Sequence, residues 1–140
     1  MPRRVGFRIF GTTADIGVHA RGRTRRELFE NAARGMFSVI GSAPVGARLR
    51  PHRTRVRAES LEMLLYAWLS DLLYLYDARD LFACDFENTT IVEKEIQSRL
   101  LVTDATRVSV RHQVKAVTLH RLRVRRTRDR LWRASVILDI

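Results

Sequence analysis

Two stretches of the chain repeat apolar residues every three or four positions, which is the spacing of an amphipathic helix. The first follows residues 24–27, Thr-Arg-Arg-Glu, a capping box whose Thr and Glu satisfy free amides at a helix start, and it ends before Gly41. The second follows Ser60 and is apolar on nearly all sides over residues 61–76. A helix of this kind must be covered on most sides, so we expect it to be the central helix of the domain.

Most of the remaining chain alternates apolar and polar residues with a period of two, which is typical of strands. We therefore predict an α+β fold in which two long helices pack on a mixed, largely antiparallel β-sheet, with one domain spanning residues 1–140. The strand candidates are Val5–Phe10, Ile16–Ala20, an edge segment Arg55–Ala58, Leu81–Phe86, Thr89–Ile96, Arg99–Thr103, Val108–Thr118, Leu119–Arg126 and Trp132–Leu138.

The length and composition bound the class of protein. A chain of 140 residues can bury a core without a disulfide or a structural metal. Its one cysteine, Cys84, cannot form an intramolecular disulfide, which fits a reducing compartment. The basic N-terminus is followed by an apolar run that Gly6 and Arg8 interrupt, which argues against a signal peptide and a membrane span. We expect a cytoplasmic protein with no membrane partner.

The formal net charge is +11, and every cationic residue except Lys94 and Lys115 is an arginine. Such a charge favours polyanions, RNA first among them. The alternative is a general preference for arginine codons, with the arginines spread over solvated surface. Neither of two arginine clusters is interleaved with aromatic residues as a base-stacking surface would be. The clusters are Arg48, Arg50, Arg53, Arg55 and Arg57, and Arg121, Arg123, Arg125, Arg126, Arg128, Arg130 and Arg133, of which Arg121, Arg123, Arg125 and Arg126 are candidate contacts to RNA or phosphate.

A short polar turn, residues 12–17, joins the first two strand candidates and contains Asp15. An aspartate in a turn is commonly structural, and a solvated strand-end aspartate is the ordinary interpretation of Asp139. If the last strand runs beside the N-terminal strands, Asp139 and the terminal carboxylate of Ile140 would lie against Asp15. Such carboxylates repel each other unless a cation or a basic side chain lies among them. Oxygen donors without cysteine or clustered histidine suit a divalent cation, Ca²⁺ or Mg²⁺.

Lys115 is unusual in a chain that uses arginine almost exclusively. It lies in the segment Gln113–His120, and lysine is a compact charge whose pKa shifts readily. One interpretation is that Lys115 neutralises the carboxylates or holds an acidic partner. The other is an exposed strand lysine.

Four motifs, in this order along the chain, resemble the archease family. They are T-A-D-I-G at residues 13–17, E-L-F-E-N-A-A-R-G-M-F at 27–37, K-A-V-T-x-H at 115–120 and I-L-D-I at 137–140. The second helix and residues 77–86 also fit, so the resemblance extends over nearly the whole chain. Each motif alone is weak, and their common order makes the combination specific.

The resemblance implies a small cytoplasmic α+β protein that is not an enzyme. It implies an accessory factor of the RtcB-type RNA ligase in tRNA splicing and RNA repair, which promotes guanylylation of the ligase and multiple turnover. In this family a divalent cation is bound by residues that match Asp15, Asp139 and Ile140, with Lys115 beside the site.

Three positions depart from the family pattern. Thr12 stands where histidine is usual, Gln113 where glutamate is usual, and Leu119 where an aromatic residue is common. Thr12 and Gln113 would adjoin the cation site, and the lost carboxylate at 113 would weaken it. Two other functions therefore stay open. One is a diverged, basic RNA-binding module without ligase activation; the other is an independent metal-dependent hydrolase, which the scattered histidines do not support.

Overall fold

Two helices occupy the centre of the protein in a computed structural model that describes residues 6–11 and 14–140. Helix α1 spans Arg25–Ile40 and helix α2 spans Leu61–Arg79. Their predicted caps are confirmed, because the Thr24 and Ser60 hydroxyls each accept a hydrogen bond of 3.1 Å from the third helical amide. The Glu27 carboxylate accepts from the Arg23 amide instead of the Thr24 amide expected of a capping box.

Helix α2 is the central helix, as predicted. It contacts α1 and strands of both larger sheets, and the Trp68 side chain is fully buried. The indole N–H of Trp68 donates a hydrogen bond of 3.0 Å to the Thr54 hydroxyl, so this buried donor is satisfied. Only Met63 and Tyr74 among the large apolar side chains of α2 are exposed.

Nine strands form three sheets, and every strand pair in the described part of the chain is antiparallel. The sheets have the orders β1-β2-β9-β8, β3-β7 and β4-β6-β5. The fold class is thus confirmed, with the strands divided among three sheets. The strands are β1 Phe7–Gly11, β2 Asp15–Gly22, β3 Gly41–Ser42, β4 Arg50–Arg57, β5 Leu81–Val92, β6 Glu95–Asp104, β7 Ser109–Val110, β8 Ala116–Arg126 and β9 Trp132–Asp139.

Three predicted strand boundaries were wrong, one of them between residues 118 and 119, where the candidates 108–118 and 119–126 meet inside the continuous strand β8. The candidates 81–86 and 89–96 were predicted as separate strands, but residues 81–92 form one long strand, β5, with two register shifts against β6. The candidate 108–118 is interrupted, because the amides of Arg111 and His112 both donate to the carbonyl of Ile40 at the end of α1. Ser109 and Val110 pair with β3 instead, and pairing with β9 begins only at Ala116.

The two helices pack against strands of both larger sheets, so the core lies between those sheets. Strand alternation directs Ile16, Val18, Val136 and Leu138 into this core. The residues between them, beginning with Asp15, face the opposite side of the four-stranded sheet, which we call its outer face. Neither described helix combines the length and the apolar composition that a membrane crossing requires.

Candidate functional site

Three strand ends meet at one edge of the four-stranded sheet. Strand β2 begins at Asp15, β9 ends at Asp139, and the two residues pair directly in register. Ala116, the first residue of β8, pairs with Asp139 from the other side. We call the pair Asp15 and Asp139 the acidic edge. The structure therefore brings together two of the residues that the sequence nominated from opposite ends of the chain.

Both carboxylates of the acidic edge are exposed, and neither makes a salt bridge within residues 6–11 and 14–140. Like charges directly opposite each other on neighbouring strands are destabilising. A divalent cation would relieve this repulsion, and carboxylate oxygens are the donors that Ca²⁺ and Mg²⁺ take. The donor set therefore fits a hard cation.

The acidic edge alone is an incomplete ligand set. The described residues contain no group of three or more His, Cys, Asp or Glu side chains that could hold a metal ion. Further donors would have to come from a main-chain carboxylate, from carbonyl groups or from water. Ile140 directly follows Asp139, and its side chain packs against the core cluster. This packing anchors residue 140 beside the acidic edge.

Among the other nominated residues, Lys115 lies directly beside this edge. The Lys115 amide donates a hydrogen bond of 2.7 Å to the Asp139 carbonyl, so Lys115 is tied to the edge by its backbone. Its exposed side chain makes no salt bridge with a described carboxylate. Gln113 is exposed in the loop that precedes β8. Thr12 lies outside the described residues.

An apolar band follows the acidic edge on the outer face. Gly17 and Ile137 pair in register one row inward, and Phe10 of β1 pairs with Gly17. The Phe10 and His19 rings are stacked, with centroids 4.1 Å apart and an interplanar angle of 18°. A Cβ at Gly17 would overlap the Phe10 ring, so only glycine allows the ring to lie there.

Arginines occupy the far end of the same face. A groove of about 520 Å³ is lined there by His19, Arg121, Arg123, Arg125, Arg133 and Ser135, and we call it the basic groove. Three of the four arginines nominated as phosphate contacts thus lie together. Arg126 does not line the groove, because strand alternation places it with Val124 on the other side of the sheet.

Sequence reasoning missed the contribution of Phe10 and His19. They are more than 100 residues from the β8 arginines in the chain, and the pairing of β2 with β9 brings them to the same face. The available signal was the alternation of β2, in which Asp15, Gly17 and His19 share one face. Extending this alternation along β2 would have predicted that the polar turn and the arginine cluster lie on the same face of the sheet.

In the other nominated cluster, all the arginines except Arg48 lie on β4, in the other large sheet. Arg55 and Arg57 of β4 lie within salt-bridge distance of Glu95, at 3.0 and 3.6 Å. These arginines are therefore partly neutralised by their own sheet, unlike Arg121, Arg123 and Arg125, which make no salt bridge with any described residue.

Comparison with known proteins gives a consistent result across sequence and structure. The Archease protein family (MTH1598/TM1083) matches residues 7–140. Protein archease of Methanosarcina barkeri is 34% identical over 134 residues, covering 91% of each chain. Protein archease of Methanothermobacter thermautotrophicus is 34% identical over 140 residues, covering 96% of this chain and 99% of its own.

Two solved structures have the same fold. The solution structure of Methanobacterium thermoautotrophicum protein 1598 aligns with a TM-score of 0.77 at 30% identity and covers 98% of this chain and all of its own. The crystal structure of a Thermotoga maritima archease, termed a possible chaperone, aligns with a TM-score of 0.64 at 17% identity, covering all of this chain and 98% of its own. At that identity the second similarity supports the fold alone.

Proposed function

The chain belongs to the archease family, and on this basis we propose that it is a cytoplasmic, non-catalytic activator of an RtcB-type RNA ligase. In this role it promotes guanylylation of the ligase and multiple turnover in tRNA splicing and RNA repair. The observation that carries the proposal is the in-register pair Asp15 and Asp139 at an exposed sheet edge. Two exposed carboxylates in that position are suited to organising charge at the active site of a partner.

Rigid strand pairing supports the proposed role of the acidic edge. Asp15 and Asp139 are held by the β2–β9 ladder, and the amide of Lys115, the residue before β8, donates a hydrogen bond to the Asp139 carbonyl. The edge is therefore fixed on both sides by backbone hydrogen bonds. Groups placed on strands are positioned more accurately than groups on free loops, so this edge could be presented to a ligase with little ordering cost.

The residues that would hold a Ca²⁺ or Mg²⁺ ion are Asp15, Asp139 and the carboxylate of Ile140. When bound, the ion supplies a concentrated positive charge that can interact with phosphate oxygens. The chain itself contributes the orientation of the two side-chain carboxylates and the anchoring of Ile140 on the core. Lys115, Gln113 and Thr12 are proposed to adjoin the site, with Lys115 supplying a charge toward an acidic or phosphorylated group.

The proposal is tested by ligation under multiple-turnover conditions. The full chain is mixed with the RtcB-type ligase of the same source, GTP, divalent metal and an excess of RNA ends. We expect wild-type protein to convert a single turnover into many, and Asp15→Ala or Asp139→Ala to abolish this gain while far-UV circular dichroism stays unchanged. Full stimulation by either variant would overturn the proposed role of the acidic edge.

A matched control is available on the other large sheet. Glu87 is an exposed carboxylate that pairs in register with Arg99, and their side chains form a salt bridge of 3.2 Å. Glu87→Ala also removes one negative charge, but from the other large sheet, and it should leave stimulation intact. Loss of stimulation in this control would indicate that net charge, and not the acidic edge, controls the ligase.

A further inference from the structure

The basic groove concentrates charge that the protein itself does not neutralise. Arg121, Arg123 and Arg125 are exposed and make no salt bridge with any residue in the described ranges. The fourth arginine of the groove, Arg133, forms a salt bridge with Asp129 at 2.7 Å. Same-face positions two residues apart along a strand are separated by about 7 Å, so these like charges repel at short range. An anionic ligand with several charges would remove this repulsion.

A bulge in β8 adds a third arginine to the groove. The register against β9 shifts between Thr118 and Arg123, and Arg121 has a left-handed backbone with φ of 52°. That conformation is uncommon for a residue with a side chain and costs free energy. β-bulges redirect side chains, and Arg121 lines the basic groove together with Arg123 and Arg125.

The Phe10–His19 stack adjoins the groove and adds a second kind of contact. His19 lines the groove, and Phe10, whose ring lies 4.1 Å from the His19 ring, keeps 37% of its surface exposed. Single-stranded nucleic acid is bound by positively charged grooves that follow the phosphates and by aromatic rings on which bases stack. A phosphorylated peptide or an anionic membrane would use the arginines without needing the ring pair.

We propose that the basic groove and the Phe10–His19 stack together bind a single strand of nucleic acid. The phosphates contact Arg121, Arg123 and Arg125, and a base stacks at the ring pair. Binding of nucleic acid in this way requires no ligase, so it can be tested independently of the activator function. The acidic edge and the basic groove then lie at opposite ends of the outer face. They are separated by about four residues of β9, or about 14 Å.

The binding test uses a fluorescein-labelled eight-nucleotide oligouridylate and the full chain, followed by anisotropy between 50 and 200 mM salt. Three phosphate contacts predict that log K falls against log salt with a slope of about −2. Arg123→Ala/Arg125→Ala should weaken binding at least tenfold and flatten this slope. The matched control, Arg55→Ala/Arg57→Ala, removes the same charge from β4 and should weaken binding much less. Equal loss in both double variants would overturn the groove as the site.

Stacking is tested separately. Phe10→Leu keeps an apolar side chain but removes the ring, and it should weaken binding at least about fivefold, the lower end of base–aromatic stacking. Unchanged affinity would overturn the stacking contact.

Duplex RNA of the same length should bind more weakly than the single strand, and equal binding would contradict the proposal. The same comparison with oligodeoxyuridylate distinguishes RNA from DNA as the strand that is bound.

One further measurement needs no variant, and another tests a membrane as the ligand. The imidazole pKa of His19, followed by NMR in wild-type protein, should rise when the oligouridylate saturates the groove, because phosphate favours the charged ring. An unchanged His19 pKa would mean that the nucleic acid binds elsewhere.

Binding to an anionic membrane is tested with vesicles of phosphatidylcholine that contain one-fifth phosphatidylserine. Vesicle binding that depends on Arg123 and Arg125 and exceeds oligonucleotide binding would replace the nucleic-acid proposal with a membrane one.

Discussion

Replacing Asp139 by asparagine should change the stability of the protein in opposite directions with and without a divalent cation. Asp139 pairs directly with Asp15, and both side chains are exposed. Without a cation, Asp139→Asn removes a repulsion between like charges. With a cation, it removes a ligand. The sign of the effect therefore reports whether the acidic edge binds metal.

The size of the repulsion between Asp15 and Asp139 follows from their register. Directly opposed side chains are about 5 Å apart, and Coulomb's law in a water-like dielectric gives about 0.8 kcal/mol for two unit charges at that separation. Salt screening reduces this, so we expect Asp139→Asn to raise the free energy of unfolding by about 0.5 kcal/mol in chelator, or Tm by about 2 °C. At a cation concentration one hundred times Kd, wild-type protein gains about 2.7 kcal/mol.

The order of stability should therefore reverse. If the variant binds the cation about a hundredfold more weakly, it gains only about 0.4 kcal/mol at the same concentration. Urea unfolding in EDTA, in Ca²⁺ and in Mg²⁺, followed by tryptophan fluorescence, measures both terms. Glu87→Gln, which breaks the salt bridge with Arg99, is the control and should show no dependence on the cation. Equal cation effects on wild type and Asp139→Asn would show that Asp139 is not a ligand of the cation.

Three further predictions concern named side chains. Thr54→Val should lower the free energy of unfolding by about 1–3 kcal/mol, because the buried Trp68 N–H loses its acceptor; urea unfolding checks this against the milder Thr54→Ser. Burial and the charge of Arg8 lower the pKa of His19, so Arg8→Gln should raise it part of the way in an NMR titration, and a constant pKa would contradict this. Since the folded-state pKa is the lower one, protonation of His19 as pH falls favours unfolding. Burial raises the pKa of the Cys84 thiol, so iodoacetamide should alkylate it more slowly at pH 7 in the native protein than in urea, and equal rates would argue against burial.

The elements that could be predicted from sequence are those with strong local signals. Thr24 and Ser60 mark both helix starts because capping is a local hydrogen bond, and the apolar content of α2 indicates a covered helix. The break between β7 and β8 had no such signal. It depends on the Ile40 carbonyl accepting hydrogen bonds from Arg111 and His112, a contact that the sequence does not specify.

The candidate site could be predicted only in part for a related reason. Asp15 and Asp139 were nominated together on the condition that the first and last strands are neighbours, and the β2–β9 pairing meets that condition. The arginines of β8 were identified as a cluster, but alternation along the strand separates Arg126 from the others. The Phe10–His19 stack depends on the sheet order and on the Phe10 ring lying over Gly17, a contact that a linear pattern does not specify.

The most direct test of the central claim is the rate at which the ligase acquires guanylate. Purified RtcB-type ligase is incubated with labelled GTP and metal, and the label bound covalently to the ligase is followed over time with wild-type protein, Asp139→Asn or Glu87→Gln. We expect wild type and Glu87→Gln to accelerate labelling and Asp139→Asn not to do so. Equal acceleration by all three proteins would contradict this, because the activating group would then lie away from the acidic edge.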